Sequence, residues 1–145
     1  MQKIVPFLWF DGKAEEAAQF YVSIFKNSKI LSANPMSVTF QLEGQPFYAL
    51  NGGPQYKFTP AISLFVNCET QQEVDELWGK LSASKADEQC GWLKDKYGLS
   101  WQIIPTVLGK LMGDKNPKKA NAAVQAMLKM KKIDIKGLQQ AFDAA

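Results

Sequence analysis

The second half of this chain repeats the pattern of its first half, and a duplicated unit restricts the possible folds more than any single motif does. Lys3 to Phe10 is rich in β-branched and aromatic residues, and apolar residues then recur at Ala14, Ala17, Ala18, Tyr21, Ile24 and Phe25. This spacing predicts a strand followed by an amphipathic helix, with Asp11 placed to cap it. Lys29 to Ser32 reads as a short strand. Val38, Phe40 and Leu42 alternate with polar residues, Gly44 turns the chain into Pro46 to Leu50, and Asn51, Gly52, Gly53 and Pro54 close the unit.

The order then returns. Ala61 to Asn67 reads as a strand, and Thr70 with Glu73 forms a capping box ahead of Val74, Leu77, Trp78 and Leu81 at helical spacing. A polar stretch from Ser82 to Gln89 leads to Cys90 to Leu93, a turn through Asp95 and Gly98, and the alternating strand Leu99, Trp101, Ile103. Gly44, Phe47, Ala49 and Leu50 match Gly98, Trp101, Ile103 and Ile104, each 54 residues on. Ala17, Phe20, Tyr21 and Ile24 match Val74, Leu77, Trp78 and Leu81, each 57 residues on. The expected architecture is α+β: two strand-helix-three-strand modules, residues 3–54 and 59–105, in a single domain spanning 1–145. Beyond Pro105 the pattern turns helical. Thr106 to Met112 is closed by Gly113, Asn116 and Pro117 open a second helix, and Asp134 stands ready to cap a third, so residues 106–145 read as a helical extension.

Composition narrows the chemistry. There is no His, and all 17 basic residues are Lys, so Arg is absent as well. Imidazole bases, His-containing metal sites and guanidinium clamps for phosphate are thereby excluded. Cys68 and Cys90 are expected to be reduced thiols in a cytoplasmic protein, since a chain with a full core needs no bridge. No apolar run approaches the ~18 residues of a membrane span, and the run from Ile4 to Phe10 lacks a signal-peptide pattern. Between residues 110 and 136, eight lysines against Asp114 and Asp134 give a net charge of +6. These lysines flank apolar helix faces without interleaved aromatics, so they read as solvating charge and nucleic acid is not an expected partner.

Four segments in register carry a family resemblance: Pro6 through Ala17 to Phe20 and Tyr21, Phe47 through Pro54, Ile62 to Cys68, and Cys90 through Gly98 to Pro105. Together they resemble the PhnB-like branch, also called 3-demethylubiquinone 3-methyltransferase-like, of the vicinal oxygen chelate or glyoxalase/bleomycin-resistance superfamily. The resemblance implies paired βαβββ modules forming a curved mixed sheet around a cavity, commonly completed in a homodimer. The connection from Ile30 to Val38 is shorter than the loop such relatives carry.

Metal enzymes of the superfamily place one ligand on the first and last strand of each module. Here those positions carry over to Pro6, Tyr48, Ala61 and Gln102. Pro and Ala offer no donor and a neutral Tyr is a poor one, so no metal site and no cofactor are expected. With these four facing the cavity, period-two alternation adds Leu8, Leu50, Ser63 and Ser100 to its lining, and turns Phe47, Trp101 and Ile103 toward the helices. Leu8 and Leu50 would serve equally well as core. Cys90 and Trp92 fall near the cavity mouth, where the thiol is read as inert and the Tyr48 hydroxyl as orienting a ligand rather than acting as an acid.

The expected function is metal-independent binding of a small apolar or aromatic molecule. An enzyme of unknown reaction, using Tyr48, Gln102 and Cys90, is the alternative. An interaction module built on the Lys-rich helices is the third. The Gly52-Gly53-Pro54 turn follows a hairpin strand and precedes no helix, which argues against the glycine-rich turn of common methyltransferases.

Overall fold

Alternation does what it promises along residues 37–51, where Val38, Phe40, Leu42, Phe47 and Ala49 are all buried. The computed structural model describes residues 2–145 and divides at Phe58 and Thr59 into two units. In the first, β1 (Phe7–Phe10), α1 (Ala14–Ile24), β2 (Lys29–Ala33), β3 (Ser37–Leu42) and β4 (Gln45–Asn51) follow in sequence. The sheet order is β1-β4-β3-β2, with β1 parallel to β4 and the other pairs antiparallel. Helix α1 packs on β3 and β4 through Ala14, Ala17, Ala18 and Tyr21. Three alanines on one face let the helix approach the sheet closely, and Tyr21, Phe40 and Phe47 form a run of adjoining rings beneath it.

The cap of α1 differs from the expectation. Gly12, in the left-handed region at φ +71°, turns the chain so that Lys13 rather than Asp11 takes the N-cap position, and Lys13 makes no capping hydrogen bond. Asp11 stays exposed. The first helical N–H, that of Ala14, instead donates to the Asn51 side-chain oxygen at 2.8 Å, while the Asn51 amide donates to the Pro35 carbonyl at 3.0 Å. The turn residue that ends β4 thus caps the helix that follows β1, a contribution of about 1 kcal/mol.

In the second unit, β5 (Ser63–Cys68), α2 (Gln71–Leu81), β6 (Trp92–Lys94) and β7 (Ser100–Pro105) give a sheet of order β5-β7-β6, again mixed. The capping box forms: Thr70 Oγ1 accepts from Glu73 N at 3.1 Å. The Glu73 carboxylate reaches back to Glu69 N at 2.8 Å. This sheet has one strand fewer than the first. The polar stretch from Ser82 to Gln89 has no alternating apolar residues to bury, and it holds a single 3-10 turn, Lys85–Asp87, where the first unit has a strand. Two boundaries also move inward. Ala61 lies exposed in a turn before β5. Cys90 and Gly91, at φ +40° and +90°, form the bend that leads into β6.

Three helices, α3 (Thr106–Met112), α4 (Pro117–Leu128) and α5 (Ile135–Ala144), complete this unit. Asn116 caps α4 as expected. Asp134 sits at the N-cap position of α5 without capping it; the Ile135 N–H donates instead to Gln71 Oε1 at 2.8 Å. The helices share a core of Leu108, Leu111, Ala123, Ile133 and Leu138 that includes Ile104 of β7. They are also tied down by polar contacts. Cys90 N and Gly91 N donate to the Met130 and Lys131 carbonyls at 2.7 and 2.8 Å. Gln71 Nε2 donates to the Ile133 carbonyl at 3.0 Å, and Lys132 pairs with Asp75 at 2.9 Å. Hydrogen bonds from Gln71 and Lys132 hold the Asp75 carboxyl below its usual value. Among the described residues, no helix is long and apolar enough to cross a membrane.

Candidate functional site

Each sheet has one face covered by its helix and one face opposite, and strand register decides which residues lie where. In the first unit β1 pairs in parallel with β4, Phe7 opposite Tyr48, Leu8 opposite Ala49 and Trp9 opposite Leu50. Laterally paired residues share a face, so Phe7, Trp9, Tyr48 and Leu50 lie together on the face away from α1, joined from β3 by Ser37 and Thr39. Phe7 is 59% exposed and its ring meets that of Tyr48 edge-on at 6.0 Å. Trp9 is held by its indole N–H donating to the Gly53 carbonyl at 2.9 Å and by an edge contact with Tyr56 at 5.0 Å.

Leu8 therefore does not line this face. It is buried on the helix side with Ala49, and period two puts Pro6 on that same side, just before β1, where its carbonyl accepts from Tyr48 N at 3.0 Å. The expectation that Pro6 and Leu8 lie beside Tyr48 and Leu50 differs from the structure by one residue in the parallel register, and such a slip moves every side chain of a strand to the other face. The residues it hid, Phe7 and Trp9, stand one position further along the same strand.

The second unit assembles more of the expected set. Ser63 pairs with Ser100 and Phe65 with Gln102 across β5 and β7, while Trp92 pairs with Gln102 and Lys94 with Ser100 across β6 and β7. The face opposite α2 thus carries a polar row, Ser63, Ser100 and Lys94, with Ser100 at its centre only 1% exposed, and beside it a row in which Gln102 stands between Phe65 and Trp92. The Gln102 amide donates to Ser63 Oγ at 3.0 Å. Ile104, next along β7 on this face, belongs to the core of the C-terminal helices, which close that end of the sheet. A cleft of about 350 Å³ opens beside β6, lined by Asp87, Cys90, Trp92, Lys94 and Ser100 among others. Lys94 and Asp87 form a loose, half-exposed ion pair across it at 3.9 Å. Phe65 and Lys94 escaped the sequence reading, although alternation from Ser63 and from Trp92 points to both.

The two cysteines differ. Cys68 is fully buried, and burial, reinforced by the carboxylates of Glu73 and Glu69, pushes its thiol up to about 12. Cys90 is half-buried and lines the cleft. A maleimide at pH 7.5 should therefore label one cysteine of the native protein, Cys90, and a second only in denaturant, as read by intact mass. Equal labelling of both in the native state would contradict the burial of Cys68. Because an exposed thiol ionises before a buried one, raising the pH past about 9 favours the unfolded chain at this site.

A metal centre at the four carried-over positions does not fit these residues. Pro6 and Ala61 have no donor, Pro6 falls on the helix side, and a neutral Tyr48 hydroxyl with one neutral Gln102 amide oxygen cannot hold a divalent ion. Among the described residues, no three His, Cys, Asp or Glu side chains gather to hold an ion.

Comparison with known proteins agrees with the fold. No curated protein matches the chain. The PhnB protein from Bacillus cereus is 39% identical, with a TM-score of 0.62, over 72% of this chain and 100% of its own. Protein PA1353 from Pseudomonas aeruginosa shares the fold at 18% identity and a TM-score of 0.55, covering 72% of this chain and 98% of its own. A glyoxylase/bleomycin resistance protein/dioxygenase domain from Frankia sp. EAN1pec aligns at 14% identity and a TM-score of 0.48, over 72% of this chain and 92% of its own. The 3-demethylubiquinone-9 3-methyltransferase profile matches residues 2–104, ending where the helical extension begins. Spanning nearly all of both strand-helix modules, that match makes this chain a member of the PhnB-like 3-demethylubiquinone-9 3-methyltransferase family.

Proposed function

We propose that this chain binds a small apolar or aromatic molecule on its sheet faces, to sequester or sense it, without a bound divalent metal. The observation that carries the reading is the makeup of the faces opposite the helices: aromatic and aliphatic side chains with a few polar tips, which is the composition of small-molecule sites. The donor set at Pro6, Tyr48, Ala61 and Gln102 supports metal independence. Methyl transfer, suggested by the family's name, finds little support at the glycine turn, where Gly52 serves to let the Trp9 indole pass: a Cβ there would fall 2.3 Å from the ring. Two free cysteines agree with a reducing cytoplasm. A homodimer belongs to the same proposal, since Phe7, Ile62 and Phe65 leave large apolar surfaces exposed.

Native mass spectrometry of freshly purified protein tests all three parts. The expected spectrum is a metal-free dimer of the 16.2 kDa chain, carrying or taking up an organic mass. A stoichiometric metal would overturn metal independence. Turnover of a bound compound, lost on Tyr48→Phe or Gln102→Ala, would establish an enzyme instead.

A further inference from the structure

We infer that the open face of the second unit takes an aromatic monocarboxylate, an inference that rests on the small-molecule reading above and specifies its ligand. Three observations converge. Lys94 and Ser100 are direct cross-strand partners on one face, and Ser63 is the parallel neighbour of Ser100, so one cation and two hydroxyls lie in a single row. Ser63, which accepts from Gln102, keeps its own O–H to donate. The adjacent row sets the flat Gln102 amide between Phe65 and Trp92, a surface suited to an aromatic ring. The spacing between rows is that of alternate residues along β7, so a ring over Gln102 places a carboxyl substituent at the hydroxyls and the ammonium.

Charge limits the anion. Lys94 is the one basic side chain lining the cleft, and Asp87, 3.9 Å from it, opposes a second negative charge. With no guanidinium in the chain, a phosphate dianion has no bidentate partner, whereas a carboxylate needs only the ammonium and a hydroxyl. The Lys94–Asp87 pair is half-exposed and long, so a ligand carboxylate competes for the ammonium at small cost. The cleft of about 350 Å³ takes in Trp92, Lys94 and Ser100 at the ammonium end, while Ser63, Phe65 and Gln102 lie on the sheet face beside it.

The test is calorimetric titration of the full chain with 2-naphthoate and with its neutral analogue 2-naphthylmethanol at low salt. Naphthoate is expected to bind about tenfold tighter, a preference that Lys94→Met abolishes and Asp87→Asn increases, while Trp92→Ala weakens both ligands. Thermal melts of each variant establish that it is folded. Equal binding of the two ligands, unmoved by Lys94→Met, would overturn the carboxylate assignment while leaving small-molecule binding intact. Naphthoate binding that survives Lys94→Met and Trp92→Ala would put the ligand elsewhere and overturn the site. If neither compound binds at millimolar concentration the inference falls, and native mass spectrometry alone then decides the broader reading.

Discussion

Asp95→Ala should cost about 4 kcal/mol of folding stability, with a fall in melting temperature on the order of 10 °C. Asp95 is 3% exposed, and its carboxylate is the acceptor for three donors in the turn between β6 and β7. One oxygen accepts from Tyr97 N at 2.8 Å and Leu99 N at 3.1 Å, and the other from the Trp101 indole N–H at 2.9 Å. Trp101 lies in the core and Leu99 is fully buried, so two of the three donors would be stranded away from water at ~1–3 kcal/mol each. Asp95→Asn keeps an oxygen for the two backbone donors and deprives only the indole, so its loss should be about half as large. Urea denaturation of both variants decides the matter. An alanine variant within 1 kcal/mol of the parent would mean that water replaces the carboxylate, and that Trp101 does not depend on it.

Asp95 also illustrates what a sequence conceals. Its place in a turn was readable from Asp95 and Gly98, but its bond to the Trp101 indole depends on strand pairing. Elements with strong local signals are the easiest to read: α1, α2 and α4 run close to where Ala17, Val74 and Pro117 predict, and the Thr70 and Asn116 caps form with their own helices. The expectations that failed involve partners distant in sequence. Asp11 and Asp134 are reasonable caps by position, yet Asn51 and Gln71 supply the acceptors, 37 and 64 residues from the Ala14 and Ile135 N–H groups they bind. The candidate site divides along the same line. Ser63, Ser100 and Gln102 share one face of their sheet, as alternation along β7 and its parallel register with β5 require. Leu8 was misplaced because period two leaves the parity of a parallel pairing open, and only the register of Phe7 with Tyr48 settles it.

A pair of identical substitutions with opposite expected signs tests how the C-terminal helices are held. Gly91→Ala should destabilise by about 3 kcal/mol, because two penalties add. The residue sits at φ +90°, a conformation that side chains with a Cβ rarely adopt. The new Cβ would also fall 2.5 Å from Ile104 Cδ1 and 3.3 Å from Ile133 Cγ1, both within the core that joins the helices to β7. The same bend carries the Cys90 and Gly91 N–H bonds to Met130 and Lys131, so its distortion should release the helices first, seen as faster proteolysis beyond residue 105. Gly79→Ala is the counterpart. Gly79 lies in α2 with nothing within 4 Å of the added Cβ, and replacing glycine there should stabilise by roughly 0.5–1 kcal/mol. Adding Ile104→Val to Gly91→Ala separates the two penalties. It removes the clashing Cδ1 and should recover part of the loss beyond additivity, leaving the backbone strain as the remainder. No recovery would assign the whole cost to the backbone, and a neutral Gly91→Ala would mean that the helices dock without needing this bend.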